Sequence, residues 1–312
     1  MHTVDIGDPP APTPLGVVVA SGDIGAAGAD YWMRTATFTL VEGPCTDRRT
    51  VSVDSVPVAL DQIAERVARW PQAATVCDDV LRIVKPDGPT LPGVLTESLA
   101  YSTLQAGPEF ARWLAERGPA TVPVLPDPVV VERTRDDLLV RFNRPTRHNA
   151  FSTDARAALL EALEIAWLDP SVLGVILSGN GRSFCSGGDL AEFGTLDDPA
   201  SAHLARTRHS PALALDALTM RFREGCRAEV HGQVLGSGLE MAAFCGHVTA
   251  KPDAVFGLPE LALGLIPGAG GTVSITRRIG RWRTAYLVLS GQTIDAATAL
   301  DWGLVDAVDP ER

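Results

Sequence analysis

Val230-His-Gly-Gln-Val-Leu-Gly-Ser-Gly-Leu-Glu-Met-Ala242 passes from a β-branched stretch, through three glycines, into a run of apolar residues. A strand that turns through glycine into a helix can bend sharply and can bring a ligand close to the main chain, because glycine has no Cβ. The helix expected next, Leu239-Glu-Met-Ala-Ala-Phe-Cys245, opens with amides that have no partner of their own. Those amides can hold an oxygen that gains negative charge. Glu240 is the only acid in that run. Taken alone, it reads as a surface carboxylate favoured by the helix dipole. Beside a glycine-lined pocket it reads as an acid/base group.

Two further glycine-rich segments lie at expected strand ends: Phe184-Cys-Ser-Gly-Gly-Asp-Leu190 and Phe256-Gly-Leu-Pro-Glu-Leu-Ala-Leu-Gly-Leu-Ile-Pro-Gly-Ala-Gly-Gly-Thr272. Neither is a familiar phosphate or nucleophile motif. Pro267–Thr272 lacks the Gly-Lys-Ser/Thr ending of a P-loop and is not a dinucleotide fingerprint. Phe184 and Leu235 stand where a GxSxG elbow would need glycine before Ser186 and Ser237. No HExxH or His–carboxylate cluster points to a metal.

Outward from these segments, strands alternate with helices, which implies a layered α/β fold. Val129–Glu132 and Leu138–Phe142 flank a turn and read as a hairpin. Ser152 or Thr153 can cap a helix running to about Trp167, and Leu173–Leu177 reads as a buried strand. Short strands are expected at 228–230, 247–250 and 254–256, and helices at 270–279 and 284–289. Upstream, Arg117–Pro128 holds four prolines in twelve residues and reads as a linker. The chain thus divides into an N-terminal extension with short strands (1–55), a helical segment with linker (56–125) and a core (126–312). Residues 1–14 are rich in proline and aspartate and read as loose. In the helical segment, Leu99, Leu104, Phe110, Trp113 and Leu114 read as the inner side. Arg277–Arg283 reads as a solvated, ion-paired face.

Composition narrows the function. The 312 residues are 46% hydrophobic and 21% charged, ordinary for a globular chain, and the formal net charge is −11. That balance argues against nucleic-acid binding, which needs a basic face. Five cysteines without a CxxC give neither a disulfide framework nor a zinc site. No basic n-region precedes an apolar run at the start, and no stretch of about 18 apolar residues occurs. A cytoplasmic protein without membrane attachment is expected.

The three segments, in this order and spacing, resemble the signature of the crotonase superfamily, the enoyl-CoA hydratases and isomerases. The resemblance covers about Val129–Val308. It includes Asn143-Arg-Pro-Thr-Arg-His-Asn-Ala150, similar to the family's NRP…NA stretch, and Gly291–Asp306, similar to its GLV close. It implies an α/β fold with a crotonase-like ββα spiral core and an active site that needs no metal or redox cofactor, coenzyme A arriving as part of the substrate. By the same resemblance Gly188 and Ser237 are the two N–H donors of an oxyanion hole, and Glu240 and Glu260 are the acid/base pair. Having both glutamates favours an enoyl-CoA hydratase, with an isomerase or specialised acyl-CoA lyase as the alternative. A non-catalytic acyl-CoA-binding or assembly protein is the reading from another class.

Substrate contacts carried over are Arg147, Ala150, Ser186, Gly187, Asp189, Leu190, Gly236, Pro259 and Gly268. The sequence departs from the pattern at Thr146, where lysine is common, so Arg147 or Arg144 is expected to supply charge for phosphate. It departs again at Ser237, in place of the usual glycine, and at Arg227 and Glu229, which interrupt an apolar strand. His148 and His231 are expected to be structural. Family domains continue past the GLV motif with helices that complete the site and form trimer contacts. Residues ~53–120 resemble those helices, with Glu97–Pro119 similar to the family's E…F…KR.P ending. A rearranged order, in which this segment supplies the helices usually found last, is therefore expected, with a homotrimer or hexamer as the assembly.

Overall fold

The computed structural model describes residues 1–196 and 198–309. Strands β1 (His2–Asp5), β2 (Val18–Ser21), β3 (Phe38–Glu42) and β4 (Thr50–Val53) form a parallel sheet in chain order, with helix α1 (Ala29–Thr35) between β2 and β3. The start is not loose: β1 pairs with β2 from His2 opposite Val18 to Asp5 opposite Ser21. As a largely exposed edge strand it lacks the apolar pattern of a buried one. Strand β2 is buried on both faces, as strands in parallel sheets are. Val19 belongs with Phe38 and Leu40 to the main core, while Val18 and Ala20 meet Ile6, Trp32 and Met33 in a smaller core.

Four helices follow: α2 (Val56–Arg69), α3 (Pro71–Ile83), α4 (Thr90–Gln105) and α5 (Pro108–Arg117). Proline sits in the first turn of α2, α3 and α5, where its missing N–H breaks no helical bond. Ile63 and Val67, four residues apart, are buried as their spacing predicts. Helix α4 corrects the sequence reading. Leu99 is 57% exposed, and the buried face carries Val94, Glu97, Ser98, Tyr101 and Ser102. Residues 118–128 hold neither helix nor strand, in keeping with their prolines.

Strands β5 (Val129–Thr134) and β6 (Asp137–Phe142) make the expected hairpin. Then come α6 (Thr153–Leu168), β7 (Gly174–Gly179), α7 (Pro199–Arg208), α8 (Pro211–Phe222), β8 (Cys226–Val230), β9 (Gln233–Leu235), α9 (Ser237–Ala242), β10 (His247–Ala250) and β11 (Val255–Gly257). The last described elements are α10 (Gly271–Ser290), β12 (Ile294–Asp295), α11 (Ala296–Trp302) and β13 (Ala307–Val308). A six-stranded sheet runs β13-β10-β8-β7-β6-β5, and β12-β11-β9 form a small one. Ser152 caps α6, accepting from the Ala155 N–H. In β8 the charges cause no conflict: Cys226, Ala228 and Val230 point inward, Glu229 is exposed, and Arg227 pairs with Asp137 at 2.9 Å. The two helices expected over 270–289 are the arms of α10, kinked at Gly280, whose φ of +80° is not helical.

All three segments share one continuous hydrophobic core. Helices α2, α3 and α4 pack on α10, α4 also packs on α7, and α5 packs on α4 and on the 3-10 turn Glu260–Leu263. The arginine run of α10 is a second correction, because it is a set of rivets rather than a solvated face. Arg277 pairs with Asp216 and Arg278 with Asp306, while Arg281 donates to the Arg34 and Ala36 carbonyls and the buried Arg283 to the Thr50 carbonyl. The last two contacts tie the N-terminal sheet to the core. Among the described residues no helix is long and apolar enough to cross a membrane.

Candidate active site

Two loops are stitched side by side by main-chain bonds. The Cys185 N–H donates to the Gln233 carbonyl and the Leu235 N–H to the Cys185 carbonyl. This brings Gly188 and Ser237 to the wall of one cavity of about 190 Å³. Between β9 and α9 the chain turns at Gly236, whose φ is +48°. A Cβ there would lie 2.6 Å from Glu260 Oε1, so both backbone conformation and space require glycine. The N–H groups of Gly188 and Ser237 have no acceptor among the described residues.

Glu240 and Glu260 reach the same cavity. Glu240, on α9, is 1% exposed, and its Oε2 accepts from the N–H groups of Ala269 and Gly271, both at 2.7 Å. Glu260 opens a 3-10 turn, Glu260–Leu263, directly after Pro259. Its Oε2 is buried with no hydrogen-bond partner, and so is the Ser237 hydroxyl. Buried polar atoms without partners are uncommon in folded chains. Two of them beside two free amides mark where a polar ligand or a water belongs.

A third carboxylate completes the arrangement. Glu97, on α4, accepts from Gly270 N–H at 2.7 Å through Oε1, and from Thr272 N–H and Oγ1 at 2.9 and 2.7 Å through Oε2. Four successive amides, 269 to 272, are thus shared alternately between Glu240 and Glu97. Burial raises Glu240 to about 7 against the pull of the backbone amides of Ala269, Gly271 and Gly268. Burial and then the charge of Glu240 push Glu97 to about 8 and hold Glu260 well above the usual carboxylate range. The cluster therefore holds protons near neutral pH that ordinary carboxylates would have lost.

Of the residues singled out in the sequence, Gly188, Ser237, Glu240, Glu260 and Gly268 line the cavity. Arg147, Ala150, Ser186, Gly187, Asp189, Leu190, Gly236 and Pro259 lie outside its lining. Asp189 is locked between Arg144 and Arg147 at 2.9 and 2.8 Å. Burial alone would raise its carboxyl, but those two guanidiniums hold it below the ordinary value. Arg144 is 2% exposed and also bonds the Ala150 carbonyl, which leaves Arg147 as the arginine of the pair open to solvent. His148 bonds Ser183 and His231 bonds the Gly181 carbonyl; neither lines the cavity. Sequence reasoning assigned no role to Glu97, Tyr101, Arg156, Arg206 or His209. Glu97 joins the glycine turn, and the other four line the cavity. A signal was present in α4: Glu97 and Tyr101 are four apart, hence on one face.

Residues 136–312 match the family model described as enoyl-CoA hydratase/isomerase. The 2,3-dehydroadipyl-CoA hydratase of Escherichia coli is 38% identical over 182 residues, 58% of this chain and 69% of that protein. Among solved structures, the enoyl-CoA hydratase of Thermoplasma volcanium GSS1 matches with a TM-score of 0.50 at 32% identity, covering 58% of this chain and 71% of that one. DspI of Pseudomonas aeruginosa matches with a TM-score of 0.54 at 30% identity, covering 61% and 71%. With the matched residues spanning more than half of its length, the chain belongs to the enoyl-CoA hydratase/isomerase, or crotonase, family.

Proposed function

We propose that this protein is an enoyl-CoA hydratase that adds water across the C2=C3 bond of trans-2-enoyl-CoA thioesters. The observation that carries the reading is the convergence of Glu240 and Glu260 on one cavity with the unengaged amides of Gly188 and Ser237. The thioester oxygen accepts from the two amides, which draws charge from C3 as the enolate forms. One glutamate takes a proton from water as its oxygen bonds to C3, and the other delivers a proton to C2. The unpartnered Glu260 Oε2 is the position for that water. Arg147 supplies charge for a coenzyme A phosphate, with Ala150, Ser186, Gly187 and Leu190 beside it and Asp189 holding the arginine. Gly236, Pro259 and Gly268 shape the acyl side. Coenzyme A enters only as part of the substrate.

In this reading residues 56–117 take the place of helices that the family carries last. The comparisons leave about 30% of each solved relative unmatched, as a rearranged order would. A cytoplasmic homotrimer or hexamer completes the proposal. Incubation with crotonyl-CoA, following loss of the enoyl-thioester absorbance, tests it. Binding of that thioester without turnover on short, medium or branched substrates would support a non-catalytic binding protein instead.

Two results are expected with that assay. The rate should rise with pH through about 7, as Glu240 ionises, and fall again once the remaining protons of the cluster leave. These limbs belong to the coupled group rather than to single residues. A rate independent of pH between 6 and 9, roughly the span over which such a cluster titrates, would contradict it. Gly271→Ala should slow turnover ~10- to 100-fold, the scale of a small misplacement of a catalytic group. Its Cβ would lie 2.6 Å from Glu240 Cγ and 2.8 Å from Oε2, which drives the carboxylate off its amides.

A further inference from the structure

The cavity has a second chemical character that water addition does not use. Arg156, from α6, and Arg206, from α7, both line it. Arg206 is fixed by neutral acceptors only: the Ser98 hydroxyl and carbonyl at 3.2 and 3.4 Å, Gln105 Oε1 at 2.8 Å, and the Ser102 hydroxyl. Its guanidinium lies 4.4 Å from the centre of the Tyr101 ring. That ring packs on Gly268, where a Cβ would come within 2.5 Å of it. Tyr101 therefore stands between the glycine turn that holds Glu240 and the Arg206 charge. The Arg156 guanidinium makes no hydrogen bond or ion pair among the described residues. The acid whose charge acts on it, Glu192, already accepts from the Thr153 N–H and hydroxyl at 2.8 and 2.9 Å. The two arginines repel each other, and both lose solvation through burial.

A guanidinium that faces a cavity with no carboxylate bonded to it is an unfilled site for an anion, since its fork matches two oxygens. The glutamates of this cavity do not fill it. Glu240 bonds the glycine turn, Glu260 bonds neither arginine, and burial favours the neutral form of both. We propose that the acyl group accepted here ends in its own carboxylate, which Arg156 and Arg206 hold beyond Tyr101 while the thioester lies against Gly188 and Ser237. This rests on the hydratase reading for the orientation of the substrate. A coenzyme A phosphate is the other anion that could reach the arginines. It is disfavoured because they share the cavity with the acid/base pair, whereas Arg147, offered for phosphate, is 38% exposed outside it.

The test compares two six-carbon trans-2-enoyl-CoA thioesters, one ending in a carboxylate and one in a methyl group. The wild-type protein should favour the carboxylate-ended one in kcat/KM by ~10- to 100-fold, the worth of hydrogen bonds to a charged group. Arg156→Met should bring that ratio close to one, and Arg156→Lys should restore part of it. Arg156 is the variant of choice because Arg206 also ties α4 to α7. An equal loss on both substrates in Arg156→Met would assign the arginines to coenzyme A phosphate and overturn the proposal. So would a wild-type preference for the methyl-ended compound. If neither is hydrated, the hydratase reading fails by itself, and calorimetry with the two saturated thioesters still decides the tail. Tighter binding of the carboxylate-ended one, removed by Arg156→Met, upholds the proposal, and equal binding overturns it.

Discussion

Glu240→Gln and Glu260→Gln should each slow hydration of crotonyl-CoA by ~10²- to 10⁴-fold, the range for loss of an acid/base group. Glutamine keeps the shape of the side chain in both cases. At position 240 its amide oxygen can still accept from Ala269 and Gly271, so the turn survives. At position 260 the atom replaced has no partner, so no protein hydrogen bond is lost. What disappears is the ability to take up and release a proton. Stability should move differently. A carboxyl whose folded pKa lies above its unfolded value, ~4.3 for glutamate, stabilises the fold fully below that value. The contribution is lost as pH rises through the folded pKa, about 7 for Glu240. Glutamine does not titrate, so above neutrality each variant should melt at or above the wild-type temperature. Turnover within a few-fold of wild type in either variant would remove the assigned pair.

The legible parts of this site were those fixed by local chain chemistry. Glycines at 187, 188, 236 and 238 announced tight turns, and the acid of an otherwise apolar helical run marked Glu240. Five strands of the six-stranded sheet, β5, β6, β7, β8 and β10, followed from their local sequence, and α6 from the cap at Ser152. Less legible were elements whose signals were present but quiet. Helices α7 and α8 begin at Pro199 and Pro211 after the capping side chains of Asp198 and Ser210, yet no strong apolar stripe marks them. Helix α4 misled because inward-facing was equated with apolar. Leu99 was assigned to the core, but the face turned inward meets the cavity and a set of amides, so it carries Glu97, Ser98 and Ser102. The arginines of α10 misled for a related reason. Arg277 and Arg278 pair with Asp216 and Asp306, and Arg281 and Arg283 donate to backbone carbonyls of α1, β4 and the chain between them, partners that no spacing in the sequence reveals.

Helix α4 supplies the second large effect. Glu97 lies outside the residues that match the family model, yet it holds half of the amide array that orients Glu240. Glu97→Ala should lower kcat ~10²-fold, the scale expected when a catalytic group drifts by about an ångström. KM should change little, because Glu97 does not line the cavity. The truncation leaves the Gly270 and Thr272 amides and the Thr272 hydroxyl buried without acceptors, at about 1–3 kcal/mol for each group, so the melting temperature should fall as well. Glu97→Gln separates the two effects. It keeps one acceptor oxygen and most of the packing while removing a carboxyl that interacts with Glu240. Glu97, pushed to about 8 by burial and the charge of Glu240, is still protonated while Glu240 ionises at about 7. Glu97→Gln should therefore leave the ascending limb of the pH–rate profile in place and change the descending limb, where the remaining protons leave. A variant that melts early but keeps both its kcat and its pH profile would show that Glu97 merely holds the helix in place. A changed descending limb would show that the helical segment from before the core takes part in the titration of the catalytic cluster.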